Sequence, residues 1–253
     1  MVDGGRVPRR ILHSSDLHLM LLGDIGCRSL EALVDLALEA QVDLVVIVGD
    51  LFDHNRVDDD LISFAVEELR RLPMPVVILP GNHDCLIPNS VYNKAELWDG
   101  ATNILIIREP QGEILALPDL GISIWGKAIV SYDGDIHPLA GAPSPMRNGQ
   151  WHIAMAHGYY VGTDTDSFRG LQITEEEVSA SGQDYIALGH FPVFRCVCDE
   201  SVKAYYCDAP YPSGMGLIVD LDEEAGVQVT RYPLPGIVAQ LATGSGGIGT
   251  FIE

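Results

Sequence analysis

The sequence predicts an α/β fold whose first half is built on parallel strands, and three observations carry that expectation. Five segments run through β-branched or aliphatic residues and stop at a metal-ligand type: Ile11 to His18, Leu44 to Asp50, Val76 to Asp84, His152 to Gly158 and Tyr185 to His190. Between the first three lie two stretches with the period of a helix. Beyond Asp99 the pattern changes to short strands with little helix between them.

Taken in order, each apolar run bounded by Gly or Pro reads as a buried strand. Residues 28–40 form the first helix, with Leu30, Leu33, Val34, Leu36, Ala37 and Ala40 largely on one face. Residues 61–72 repeat the pattern with Leu61, Phe64, Ala65, Glu68, Leu69 and Leu72, one position being polar, and Pro73 and Pro75 end that helix before the next strand. Strand, helix, strand, helix, strand is a parallel α/β half. Further strands are expected over 103–107, 121–125, 202–207, 216–220 and 226–232, the last two joined by an acidic hairpin around Asp222, Glu223 and Glu224. Residues 133–150, rich in Gly and Pro, read as a long loop, the kind that is often functional or mobile. The expected organisation is one domain over residues 1–235, followed by a short Gly-rich C-terminal tail over 236–253.

Open sheets carry their ligand chemistry just beyond the carboxyl ends of the strands. Asp16, His18, Asp50, Asn82, His157 and His190 then converge on one rim. That is a ligand set for two divalent metals, and hence for hydrolysis of a phosphate ester. Asp16 and His18 lie two apart and point the same way at a strand end, so they can grip one ion. Asp50 follows a glycine that permits a sharp turn, which suits a carboxylate bridging two ions. His13, His137 and His152 read as structural, while His54, Arg56, Tyr159, Tyr160 and Arg169 sit beside the blocks and could touch a substrate, although each reads first as a satisfied loop residue.

Composition narrows the class. A chain of 253 residues, 47% hydrophobic, buries a sizeable core, and no segment approaches a membrane span of about 18 apolar residues. The start lacks the apolar stretch of a secretory signal, so a cytoplasmic location is expected. Five cysteines, Cys27, Cys85, Cys196, Cys198 and Cys207, show no paired framework and read as reduced thiols. Cys196, Cys198 and Cys207 could hold a third metal, although strand alternation would send 196 and 198 to one face of an ordinary core. The net charge of −21, with 15 Lys and Arg among 36 acidic residues, disfavours long-range attraction for a polyanion. A small phosphorylated substrate is therefore favoured over DNA.

Asp16-x-His18, Gly49-Asp50, Gly81-Asn82-His83-Asp84, His157-Gly158 and Gly189-His190, in this order, resemble the signature of the calcineurin-like metallophosphoesterases over residues 10–215. The blocks around Asp16 and Asp50 are most similar to SbcD-type DNA repair exonucleases. The resemblance implies a four-layer αββα sandwich: two mixed β-sheets packed face to face and flanked by helices. It implies that Asp16, His18 and Asp50 hold a first metal, and that Asp50, Asn82, His157 and His190 hold a second. The mixed oxygen and nitrogen donors suit Mn first, then Fe or Zn. His83 resembles the family's catalytic histidine at the leaving oxygen, and Asp53 is expected to hold its tautomer. A water bridging the metals would attack phosphorus in line.

One position departs from the pattern. The family ends this block with Gly-His-x-His, whereas this chain reads Gly189-His190-Phe191-Pro192. Pro192 cannot ligate, so the first metal needs water or another residue such as Asp208. The expected function is a metal-dependent phosphoesterase, most plainly a phosphodiesterase acting on a phosphate ester, with nucleotide or nucleic acid as substrate classes. An SbcD-like exonuclease is the narrower alternative, and a non-catalytic protein-interaction scaffold the alternative of another class. An ATPase partner is not expected, because no long extension follows residue 235, and neither is a membrane.

Overall fold

Alternating apolar runs at the start of the chain build the first sheet. The computed structural model describes residues 5–132, 136–146, 148–163, 170–200 and 202–237. In chain order the first half holds β1 (Arg9–Ser14), α1 (Ile25–Glu39), β2 (Leu44–Val48), α2 (Asp59–Arg70), β3 (Val76–Leu79), α3 (Ala95–Trp98) and β4 (Ile104–Ile106). The second holds β5 (Glu113–Leu117), β6 (Ile122–Gly126), β7 (Trp151–His157), β8 (Tyr159–Gly162), β9 (Gln172–Thr174), α4 (Glu175–Ala180), β10 (Tyr185–Gly189), β11 (Arg195–Asp199), β12 (Lys203–Tyr206), α5 (Pro210–Ser213), β13 (Met215–Asp222) and β14 (Gly226–Pro233).

Two mixed six-stranded sheets result, ordered β14-β13-β1-β2-β3-β4 and β11-β12-β10-β7-β6-β5. The strands β1 to β4 run parallel, as the helical crossovers require. In the second sheet β6, β7, β10 and β12 are parallel, with antiparallel β5 and β11 at the edges. β8 and β9 form a separate small pair.

Strand alternation sorts the core into layers. Val46 and Val48 of β2, Val77 and Leu79 of β3, Ile153 and Met155 of β7 and Ala187 of β10 pack between the sheets. Val45, Ile47, Val76 and Ile78 face the other way, onto Leu30, Leu33 and Val34 of α1 and Leu61, Ala65 and Leu69 of α2. Ala154, Ala156, Ile186 and Leu188 face outward from the second sheet, with Val178 of α4. This is the expected pair of face-to-face mixed sheets with helices outside. His13 lies in the inter-sheet layer, fully buried, its Nδ1 2.8 Å from the Tyr185 hydroxyl across the sheets. Burial pushes its pKa down to about 3, against a smaller opposing pull from the Leu188 backbone carbonyl, so it stays neutral.

The differences from the sequence reading lie at caps and edges. The first helix starts at Ile25, three residues early, because Asp24 caps it, its Oδ1 accepting from Cys27 N at 2.9 Å. Strand β5 is not anticipated from the sequence, and β11 only through the alternation around Cys196 and Cys198, since an edge strand such as Arg195-Cys196-Val197-Cys198-Asp199 has no inward stripe to read. Helix α4, too short for a period, is held by a capping box between Thr174 and Glu177. A register shift between Cys196 and Cys198 breaks the alternation expected there. All five thiols are free, and Cys196 is exposed while Cys207 is buried. Arg169 and residues 238–253, most of the expected tail, lie outside the described residues.

Candidate metal centre

The carboxyl ends of β1, β2 and β3 in one sheet and of β7 and β10 in the other open onto a common rim. After β1 the chain runs beside the segment after β2: Asp16 N donates to Gly49 O at 3.1 Å, His18 N to Asp50 O at 3.0 Å and Leu19 N to Leu51 O at 2.9 Å. That pairing brings Asp16, His18, Asp50 and Asp53 to one place. Gly81, Asn82 and His83 follow β3, and His83 N donates to Asp50 Oδ1 at 2.9 Å. From the second sheet come His157, the last residue of β7, and His190, just past β10.

Backbone strain marks the same residues. Among the described residues, five that are not glycine have positive φ, and four are Asp16 (55°), His18 (48°), Asp50 (53°) and His190 (91°). The fifth is Gln41. Such conformations are costly for residues with a Cβ and persist where surrounding contacts impose them. The glycines are needed for a different reason. A Cβ on Gly49 would fall inside the His157 ring, one on Gly81 onto Asp50, and one on Gly189 onto the Val48 carbonyl.

The donor set calls for a cation. His157 Nδ1 lies 2.8 Å from Val48 O and donates to it, so Nε2 presents its lone pair. That lone pair faces Asn82 Oδ1 at 2.9 Å, Asp50 Oδ2 at 3.1 Å and His190 Nδ1 at 3.2 Å. Lone pairs gathered this closely around a carboxylate form a site that a proton or a metal ion can fill. Burial works to lower the His157 pKa, but the facing Asp50 and Asp16 carboxylates outweigh it and push it up to about 9. Burial likewise works to raise Asp50, and His157 outweighs it, holding the carboxylate well below its usual range. His190, by contrast, is pushed down to about 3 by burial and then by His157, which keeps its ring an electron-pair donor. Its Nε2 is buried without a hydrogen-bond partner among the described residues.

Two groups of three with metal-ligand spacing share Asp50: Asp50, His157 and His190, and Asp16, His18 and Asp50, with their donor atoms within 4.8 Å of one another. Asn82 adds its amide oxygen to the first of these. Asp16 Oδ2 accepts from His190 N at 3.0 Å, which leaves Oδ1 4.0 Å from His18 Nε2. Asp208 is committed elsewhere: Oδ2 meets Arg231 Nε at 2.7 Å and Oδ1 accepts from Phe194 N at 3.2 Å.

His83 Nδ1 lies 2.8 Å from the backbone carbonyl of Asp53, nearer than the Asp53 carboxylate at 3.8 Å. The carboxylate lies closer to His18, 3.2 Å from Nδ1 but out of line for a hydrogen bond. A carbonyl can only accept, so Nδ1 is the donor and Nε2 is the nitrogen left to exchange a proton with a substrate. Tyr159 sits edge-on to the His190 ring, with centroids 4.1 Å apart. A cleft of about 600 Å³ opens beside His83 and Asn82, with His54 and Arg56 on its wall.

Sequence reasoning missed Asp84, although it stands in a quoted motif. Fully buried, it accepts from Gly81 N (2.7 Å), Phe52 N (3.1 Å) and the Tyr92 hydroxyl (2.6 Å). It thereby ties the loop that carries Asn82 and His83 to the loop that carries Asp50. Three partners converging on one carboxylate cannot be read from spacing.

Comparison with known proteins identifies the family. A family model described as calcineurin-like phosphoesterase matches residues 9–203. The chain is 25% identical over 226 residues to the DNA double-strand break repair protein Mre11 of Methanopyrus kandleri, covering 80% of this chain and 48% of that protein. It is 26% identical over 201 residues to the uncharacterized metallophosphoesterase YhaO of Bacillus subtilis, covering 71% and 47%. The chain thus spans about half the length of these curated relatives. A Thermus thermophilus crystal structure superposes with a TM-score of 0.57 at 13% identity over 90% of this chain and 100% of that one, a likeness of fold alone.

Proposed function

Because this chain belongs to the calcineurin-like phosphoesterase family, whose members are metal-dependent hydrolases, we propose that it is a phosphodiesterase working through two divalent metal ions, Mn foremost. The observation that carries this reading is the close cluster of candidate ligands that shares Asp50, in which Asp16, His18, Asp50 and His190 are all held at positive φ. A fold keeps such strain where function requires it.

Asp16, His18 and Asp50 would hold the first ion, and Asp50, Asn82, His157 and His190 the second. When bound, the ions supply charge to the phosphate oxygens and a water of lowered pKa as nucleophile. The chain does the rest. Asp50 turns one carboxylate oxygen toward His157 and the other toward the His83 loop. Val48 O fixes the His157 tautomer so that Nε2 points into the site. His83, on the wall of the cleft, delivers the proton at Nε2 to the leaving oxygen, its Nδ1 kept as donor by Asp53 O. Pro192 supplies no side-chain donor and Asp208 is paired with Arg231, so the first ion is the weaker and more exchangeable of the two.

A DNA exonuclease activity is the second reading, favoured by the likeness to Mre11. The net charge of −21 opposes it. Turnover of bis(4-nitrophenyl) phosphate with Mn is the direct test. Asp50→Asn should lower turnover by several orders of magnitude while the fold persists; activity within about tenfold of the unsubstituted protein would remove Asp50 from the bridging role.

A further inference from the structure

The cleft beside His83 has lining residues that the phosphoester chemistry does not use. Tyr132 stands there with 58% of its surface exposed, yet it is not loose. Its hydroxyl takes a hydrogen bond from Asn55 Nδ2 at 3.0 Å. Asn55 is itself buried and held, its Nδ2 2.9 Å from Cys85 O and its Oδ1 accepting from Val91 N at 2.9 Å. A buried amide with both ends engaged is therefore a bracket for an exposed aromatic ring. Exposing such a ring to water is unfavourable, and fixing it removes rotamer freedom as well. Both costs are offset when a flat partner covers the ring.

The rest of the wall says which flat partner. Ile87 is apolar, Asn89 offers an amide with donor and acceptor, and Arg56 is the one permanent cation of the lining. At about 600 Å³ the cleft has the size of a small-molecule site. One arginine in a chain of charge −21 suits a single nucleotide, not a long polyanion.

We propose that Tyr132, braced by Asn55, is the stacking platform for a nucleobase, so that the substrate is a nucleotide whose phosphate ester reaches the metal centre past His83. The inference rests on the phosphodiesterase reading above and narrows its substrate class. Stacking on an aromatic side chain carries about 5- to 150-fold in affinity per base.

The test is calorimetric binding of thymidine 5′-monophosphate and of ribose 5-phosphate, which has no base, to the Mn-loaded protein. We expect the nucleotide to bind more tightly than the sugar phosphate. Tyr132→Ala should weaken the nucleotide by about 5- to 150-fold and the sugar phosphate by less than about twofold, while Tyr132→Phe, which keeps the ring but loses the Asn55 brace, falls between Tyr132→Ala and the unsubstituted protein. Equal binding of the two ligands, or an equal loss of both in Tyr132→Ala, overturns the proposal. Hydrolysis of bis(4-nitrophenyl) phosphate by the unsubstituted protein separates the two readings: its absence refutes the phosphodiesterase, whereas base selectivity is read from binding alone.

Discussion

Replacing Asp84 tests whether the two loops of the centre are held by one carboxylate. In Asp84→Asn the single amide oxygen can face Gly81 N or the side occupied by Phe52 N and the Tyr92 hydroxyl, but not both. The hydroxyl can rotate to accept from the new amide, whereas a backbone N–H cannot. One buried donor is then left without an acceptor in either orientation, at a cost of about 1–3 kcal/mol. Asp84→Ala orphans both backbone donors, strips the hydroxyl of its partner and leaves a void, for about 3–5 kcal/mol. Against a domain stability of about 5–15 kcal/mol the alanine variant is marginal and the asparagine variant folds. Urea denaturation in Mn would measure both, with an unchanged m-value as the sign that only stability moved. A buffer near pH 8 keeps the carboxylate charged, since burial and the Asp50 charge push Asp84 up to about 6. The variant should also lose turnover, because His83 N and Asp50 Oδ1 lie on the two tied loops. Asp84→Asn within 0.5 kcal/mol of the unsubstituted protein, or Asp84→Ala no worse than Asp84→Asn, would refute the argument.

His83→Ala should lower turnover by about 10²–10⁴ while leaving metal affinity nearly intact, and a nitrophenolate leaving group should partly mask the defect; loss of metal without such masking would make His83 a ligand. Pro192→His should tighten the weaker metal site in a calorimetric Mn titration, and two equally tight sites in the unsubstituted protein would show that another group already completes the first ion. The buried His13–Tyr185 pair across the sheets gives a pH signature. A histidine whose folded pKa is depressed, as burial depresses His13 to about 3, costs stability as pH falls below the unfolded value of 6.5. Between pH 6 and 4 the stability of the unsubstituted protein should therefore fall about 1.4 kcal/mol per pH unit more steeply than that of His13→Phe, and parallel slopes would mean that His13 titrates normally in the fold.

The parallel half of the fold and the ligand types at its strand ends were legible in the sequence, because both are local signals. Runs such as Leu44–Val48 and Val76–Leu79 announce buried strands, and each ends at a residue that can bind metal. The departure at Pro192 was legible for the same reason: one side chain either carries a donor or does not. Edge strands β5 and β11 and the short helix α4 were not, since partly exposed or brief elements have no one-sided apolar stripe. Tertiary structure alone decided which atoms face one another. It engaged Asp208 with Arg231, set the carbonyl rather than the carboxylate of Asp53 against His83, and tied Asp84 to three partners. Those contacts join residues from 3 to 32 positions apart, several of them through a backbone group, and spacing along the chain carries no record of them. What the sequence determined was which chemistry could assemble at the rim; the packing of two sheets and the loops between them determined which nitrogen and which oxygen meet there.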